Sequence, residues 1–296
     1  MPAMLYDISM KIGYEYEVAA SGARHVVRVL PLTLDNGQRL IAGTVSFDPM
    51  PDERTDFVDF FRNPAAAINF RKPHEKLEIR LQARVQVDVP SLQADFSPVL
   101  PKLVDEIWDR WTVDADSPHH FTSDSPRLAH SADISAWAKA IVKPDMSVRE
   151  VATAFCARIH SEFKYLPGAT KVDTSAGEAF KLKKGVCQDF AHIMIVALRS
   201  VGVPAGYVSG FLRTLPPPGK ERLEGADAMH AWVRVWCGRA TGWMEWDPTN
   251  NILAGGDHIR VGFGRDYADV APVIGILKSY GSHKTLQAVD VIPVKP

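Results

Sequence analysis

Alternation with a period of two dominates the first 90 residues. Leu77, Ile79, Leu81, Ala83, Val85, Val87 and Val89 fall on one face of a run whose other positions are mostly polar, which predicts a strand with one buried face. Residues 10–18 alternate more loosely, residues 26–30 are short and β-branched, and residues 40–47 follow the turn Asp35-Asn36-Gly37. Several strands with such punctuation predict an antiparallel β-sandwich over residues 1–90. Tyr14, Tyr16, His25 and His74 read there as packing and surface residues, not as chemistry.

The pattern then changes. Residues 91–127 are rich in Pro, Asp and Ser, with Trp108 and Trp111 among them, and read as a connecting segment containing a short helix over 99–111. Helical signals dominate the next stretch. Residues 133–142 form one short helix. Ser147-Val-Arg-Glu150 is a capping box opening a helix from 148 to about 164, with Val151, Ala154, Phe155, Ile159 and Phe163 on one side. Ser175-Ala-Gly-Glu178 starts a shorter turn that Gly185 ends. The apolar run 190–201 follows Cys187, and Gly202-Val-Pro204 stops it. Residues 207–212 read as a strand, residues 216–224 as an exposed proline-rich loop, and two tryptophan-rich strands follow. The expected class is α+β, with the chemistry in a third segment, 128–296.

Composition narrows the partners. A length of 296 residues favours two domains, and a net charge of −1 leaves no electrostatic footprint for nucleic acid or an anionic membrane. No apolar run approaches the roughly 20 residues that span a bilayer. The start, Met-Pro-Ala-Met-Leu-Tyr-Asp, has neither a basic nor an apolar leader region. Three sparse cysteines, Cys156, Cys187 and Cys237, make no disulfide framework, so a reducing cytoplasm is expected. C-x-x-C and H-E-x-x-H spacings are absent. His119-His120, with His130 nearby, are read as a solvated loop, and no metal or cofactor is expected.

The candidate chemistry centres on Cys187, within Lys-Lys-Gly-Val-Cys-Gln-Asp-Phe-Ala-His from Lys183 to His192. A thiol at the first turn of a buried helix meets orphan N–H groups and the positive end of the helix dipole, which favour the thiolate. Taken singly, such a cysteine is more often an inert small hydrophobe, as Cys156 is read, and Asp247-Pro248-Thr249 is an ordinary turn signal. The order Cys187, His230, Asp247 changes the weight, because it supplies nucleophile, base and orienter. Their reach can be tested by register. A turn at Gly238-Arg239-Ala240-Thr241 pairs Cys237 with Gly242, sets Trp232 opposite Asp247, and makes His230 the diagonal neighbour of Asp247 on one face. The same register sets Arg234 opposite Glu245. A three-residue loop would place His230 and Asp247 on opposite faces. The Cys187 N–H is the expected oxyanion donor and Tyr165 the candidate second donor. Asp189 is read as complementing the helix N-terminus, and His192 as a core hydrogen-bonding residue.

At these residues the chain resembles the transglutaminase-like superfamily, a branch of the papain-like cysteine enzymes. The matching motifs are Gly185-Val-Cys-Gln-Asp-Phe-Ala-His192, Met229-His-Ala-Trp232 and Trp246-Asp-Pro-Thr249, with the tail from Gly264 to Pro272 similar to bacterial members. The resemblance covers residues 145–275 and is only architectural before them. It implies a helix bearing Cys187 packed on an antiparallel sheet bearing His230 and Asp247, and acyl transfer through a thioester. No acidic loop has calcium-ligand spacing, so calcium activation is not carried over. The expected function is a cysteine peptidase or amidase acting on a peptide, protein or small amide. The alternatives are an acyltransferase with an amine acceptor and a catalytically silent peptide-binding module. The loop 213–227 is expected to help choose the substrate, and the sequence assigns no oligomeric state.

Overall fold

A computed structural model describes residues 3–89, 94–214 and 227–294 of the chain. Its N-terminal domain is organised by one long strand, β1 (Ala3–Val27). Along its first half Tyr6, Ile8, Met10 and Ile12 are buried at alternate positions. There β1 pairs antiparallel with β5 (His74–Asp88), which carries the buried row Leu77 to Val87, and β5 pairs in turn with β2 (Gln38–Asp48). The strand expected at 10–18 and the first two residues of that expected at 26–30 are therefore parts of one, which ends at Val27. Pairing with β5 shifts between Glu15 and Ala20, and beyond that point β1 takes a new neighbour, β4 (Pro64–Phe70), flanked by β3 (Glu53–Val58). This irregularity is what blurs the alternation in the sequence.

The second segment begins with α1 (Leu100–Trp108), within the helix expected over 99–111. Next come α2 (Ala132–Ile141) and α3 (Val148–Glu162). The predicted capping box opens α3: the Glu150 N–H donates to Ser147 Oγ at 3.2 Å and the Ser147 N–H to Glu150 Oε2 at 2.8 Å. Ser175 and Glu178 cap α4 (Ala176–Leu182) in the same way. That helix ends at Lys183, which adopts the left-handed conformation with φ of 54°, so the stop lies before the expected Gly185. Short β6 (Lys164–Tyr165) and β7 (Lys184–Gly185) then pair in parallel.

The central element is α5 (Cys187–Ser200), buried continuously from Asp189 to Leu198. A helix apolar on all sides needs cover on all sides. One face packs on β8 (Ala205–Leu212) and β9 (Ala228–Trp236), and the others on α2, α3 and α4. With β10 (Trp243–Asp247), β11 (Ile252–Leu253) and β12 (His258–Gly264) these strands make a five-stranded antiparallel sheet in the order β11-β10-β9-β8-β12. The loop expected at 216–224 lies outside the described residues, as does most of 213–227.

After a short helix, α6 (Tyr267–Val270), the chain returns to the N-terminal domain. Strand β13 (Val273–Lys278) pairs with the second half of β1, and β14 (His283–Pro293) with the first, from Tyr6↔Pro293 to Tyr16↔His283. These strands complete a seven-stranded antiparallel half-barrel. Within the segment expected over 128–296, residues 273–293 thus lie in the N-terminal sheet. They cover the edge of β1 that β5 and β4 leave free, and Val289 and Val291 enter the same core as Tyr6 and Ile8. Among the described residues no helix is long and apolar enough to cross a membrane.

Candidate active site

The site begins with the turn that launches α5. Val186 is extended, with φ of −120° and ψ of −179°, and Cys187 is the first helical residue, half-buried. Asp189 is 2% exposed; its Oδ2 accepts the Val186 N–H at 2.8 Å and the Thr170 hydroxyl at 2.6 Å. Asp189 thus complements the helix N-terminus as expected. It also explains Gly185, where a Cβ would lie 2.5 Å from Asp189 Oδ2 and 2.9 Å from its Cβ. The glycine makes room for the buried carboxylate, and the carboxylate takes up the N–H just before the cysteine.

His230 and Asp247 meet on the neighbouring sheet in the register that the even loop predicts. The Cys237 N–H donates to the Gly242 carbonyl at 2.8 Å, Trp236 lies opposite Trp243, and Arg234 opposite Glu245. His230 Nε2 is 2.8 Å from Asp247 Oδ2. His230 is also paired electrostatically with Cys187, and with Nε2 taken by Asp247 its Nδ1 is the atom left to serve the thiol. The side-chain charges of Arg234 and Glu245, however, go elsewhere. Arg234 is 3% exposed, packs 3.9 Å from the Trp243 ring centre and pairs with Asp116 at 3.0 Å. Glu245 accepts from Trp232 Nε1 at 2.7 Å and pairs with Arg260 Nε at 3.0 Å.

Asp247 is fully buried and saturated with donors. Its Oδ1 accepts the Thr249 and Asn250 backbone N–H groups at 2.9 and 3.2 Å, the Asx-turn that Asp-Pro-Thr predisposes. Its Oδ2 accepts from His230, from Asn250 Nδ2 at 2.7 Å and from His258 Nε2 at 3.2 Å. Burial pushes the carboxyl up, but the donors, His230 first, outweigh it and hold Asp247 well below the usual carboxylate range. Burial likewise works against a charged His230, yet its hydrogen bonds and charge pairing with Asp247 and Cys187 push it up to about 10. The site therefore favours the imidazolium form of His230 beside the Asp247 carboxylate.

The remaining expected residues fall as follows. Tyr165 is held beside the Cys187 turn by the β6–β7 pairing, with the Leu166 N–H on the Gly185 carbonyl at 2.8 Å. It is half exposed, and burial together with the Cys187 charge raises its phenol. His192 accepts the Tyr267 N–H on Nε2 at 3.3 Å, and burial pulls it down to about 4, in keeping with a core role. Burial pushes Cys156 and Cys237 up to about 12. Cys156 nevertheless touches the site from behind, its thiol donating to the Asp247 carbonyl at 3.4 Å. His119 and His120 hydrogen-bond to the backbone carbonyls of Arg110 and Val113 at 2.7 and 3.0 Å.

Sequence reasoning missed His258 and Asn250. A histidine opening β12, His258, was the available signal. His230, Asp247 and His258 bring their ligand atoms within 4.8 Å of one another, a spacing that suits a metal ion. The chemistry of the donors does not suit one. The Gly255 N–H donates to His258 Nδ1 at 3.2 Å, which uses the one lone pair of a neutral imidazole. The proton then sits on Nε2, the atom a metal would need.

A cysteine at the head of a buried helix, with histidine and aspartate from an antiparallel sheet closing on it, defines the transglutaminase-like class within the papain-type architecture. Residues 135–248 match the family described as the transglutaminase-like superfamily, residues 6–86 match the bacterial transglutaminase-like N-terminal region, and the chain belongs to this family. An uncharacterized protein of Mycobacterium tuberculosis is 35% identical over 269 residues, covering 86% of this chain and 82% of that one. One from Mycobacterium leprae is 32% identical and covers 91% and 92%. A protein-glutamine gamma-glutamyltransferase of Pseudomonas aeruginosa is 34% identical over 96 residues, which are 31% of this chain and 14% of its own. A solved structure described as a proposed cysteine protease from Cytophaga hutchinsonii superposes with a TM-score of 0.74 at 18% identity, covering 100% of this chain and 92% of that one. The shared fold thus extends over both domains.

Proposed function

We propose that this chain is a cysteine peptidase or amidase that works through a thioester on Cys187. The observation that carries the reading is His230, bonded to Asp247 Oδ2 at 2.8 Å and raised by its electrostatic pairing with Asp247 and Cys187. The Cys187 thiol proton is held on His230 Nδ1, giving the imidazolium that the site favours, and the sulfur bonds to the amide carbon. The electron pair of the carbonyl moves to oxygen, beside the Cys187 N–H and the Tyr165 hydroxyl. When the carbonyl re-forms, the carbon–nitrogen bond breaks and the amine leaves with the proton from His230. Water, deprotonated by the same imidazole, then attacks the thioester, and the thiolate leaves. Asp247 keeps the ring's other N–H occupied, so the imidazole presents Nδ1 to sulfur in every step.

Cys187 is half-buried and Tyr165 half exposed, which supports water as the default acceptor. The gamma-glutamyltransferase of Pseudomonas aeruginosa favours an amine acceptor, and one experiment separates the two. Acyl probes of varied structure are incubated with the protein, and the adduct is located by mass spectrometry. An adduct on Cys187 that clears in buffer supports the hydrolase. Clearance only with an added primary amine assigns the acyltransferase instead. Failure of every probe to label Cys187 overturns both and favours a silent binding module.

A further inference from the structure

We propose that His258 is a positioning residue for this chemistry, holding its proton on Nε2 and sharing the Asp247 oxygen that orients His230. The inference deepens the reading of Cys187, His230 and Asp247 given above and rests on it. Four observations point to it. His258 Nε2 lies 3.2 Å from Asp247 Oδ2, the same atom that His230 contacts. Its side chain is 2% exposed, so water does not compete for that bond. Its Nδ1 accepts the Gly255 N–H at 3.2 Å, which sets the tautomer from the far side of the ring. The Trp232 ring packs edge-on against it at 5.1 Å and 78°, and Arg260 Nη1 donates to the His258 carbonyl at 3.1 Å, so both ring and backbone are held.

The consequence is electrostatic. A carboxylate oxygen that accepts one strong donor concentrates its attraction on that donor; one that accepts three divides it. His258 and Asn250 Nδ2 therefore moderate the pull of Asp247 on the His230 imidazolium. Without that division the imidazolium would hold its proton more tightly and return it less readily to a leaving amine. The other charged or titratable groups around this oxygen are accounted for. Glu245 and Arg260 neutralise each other at 3.0 Å on the strands beside it. From α3 come the Cys156 thiol, on the Asp247 carbonyl, and His160, whose Nδ1 contacts the Thr249 carbonyl at 2.9 Å. From α5 comes Cys187, through His230.

The test reads protonation, not turnover. Nitrogen-15 NMR of histidine-labelled wild-type protein should show the His258 proton on Nε2, with Nδ1 bare. The pH profile of Cys187 alkylation by iodoacetamide should have an alkaline inflection that moves up by about one pH unit in His258→Leu, which removes the donor. His258→Gln can place an amide N–H near the Nε2 position and should return the inflection to the wild-type value. A proton on Nδ1 of His258, or an unmoved inflection in a cooperatively melting His258→Leu protein, overturns the proposal. A purely structural role would lower the melting temperature and leave the inflection in place. If His258→Leu does not fold, the wild-type NMR and the His258→Gln profile decide. Should iodoacetamide label Cys187 no faster than Cys156 or Cys237, it is the nucleophile that fails, while the tautomer measurement still judges His258.

Discussion

Replacing Asp247 by Asn is the sharpest perturbation of the site, because the structure dictates how the new amide must sit. Oδ1 accepts two backbone N–H groups, from Thr249 and Asn250, which cannot move away. The amide oxygen is therefore held at that position, and the NH2 group takes the place of Oδ2. There it faces three donors: His230 Nε2–H, His258 Nε2–H and Asn250 Nδ2–H. His230 can restore a bond only by moving its proton to Nδ1, which is the atom that must accept from Cys187. In the serine-protease counterpart that wrong tautomer drops kcat about 10⁴-fold, equivalent to about 5.5 kcal/mol of barrier, and a loss of similar order is expected here. His258 cannot adapt in the same way without orphaning the Gly255 N–H. With His230 re-paired, the two other donors remain unmatched in a fully buried site, at about 1–3 kcal/mol each. The assay combines acyl-enzyme formation on a probe, the rate of Cys187 alkylation, and thermal melting. The expected protein melts earlier but cooperatively, and both rates collapse. A folded Asp247→Asn protein with wild-type acylation would show that Asp247 does not orient His230.

Three further outcomes are expected. Iodoacetamide should label half-buried Cys187 well before Cys156 and Cys237, which are at most 1% exposed and pushed up to about 12 by burial; equal labelling by peptide mass spectrometry would contradict a nucleophile. Because His230 is raised in the folded state, its contribution to stability is complete below its unfolded value of 6.5 and is lost as pH rises through about 10, at up to about 1.4 kcal/mol per pH unit. Asp247, held low, works in the opposite sense: its contribution is present above the usual carboxylate range and is lost only in strong acid. Urea melts across alkaline pH should therefore slope downward in the wild type and flatten in His230→Gln, and identical slopes would refute the coupling. Gly185→Ala puts a methyl 2.5 Å from Asp189 Oδ2, so it should displace that buried cap, cost about 1–3 kcal/mol in chemical denaturation and slow Cys187 alkylation; an unperturbed melt would show that Asp189 can yield.

The sequence made legible whatever is decided by neighbours along the chain. The capping boxes at Ser147 and Ser175 bring donor and acceptor three residues apart, and both form. The His230–Asp247 approach follows from an even loop between two adjacent strands, and the observed register agrees residue for residue. The same argument failed for the Arg234–Glu245 charge pair, and the reason is instructive. Backbone register places two residues opposite each other, but the partner of a side chain is set by everything that reaches the same face. Arg260 arrives from β12 and takes Glu245, while Asp116 from the connecting segment takes Arg234.

What was not legible shares that origin. The chain returns after residue 272 to pair β13 and β14 with β1, and nothing local in those strands names a partner at least 246 residues away (Val27↔Val273). His258 is hidden by the same non-locality, since β12 borders β8 and not the strands that carry His230 and Asp247. It reaches Asp247 across the common face of the sheet, with Trp232 packed edge-on against its ring. A two-strand argument can find an acid and a base that face each other. It cannot find the third group that shares the acid, because that group depends on the order of strands in the sheet. The sequence thus carries the reacting atoms of the site, and the fold carries the tuning of their charge.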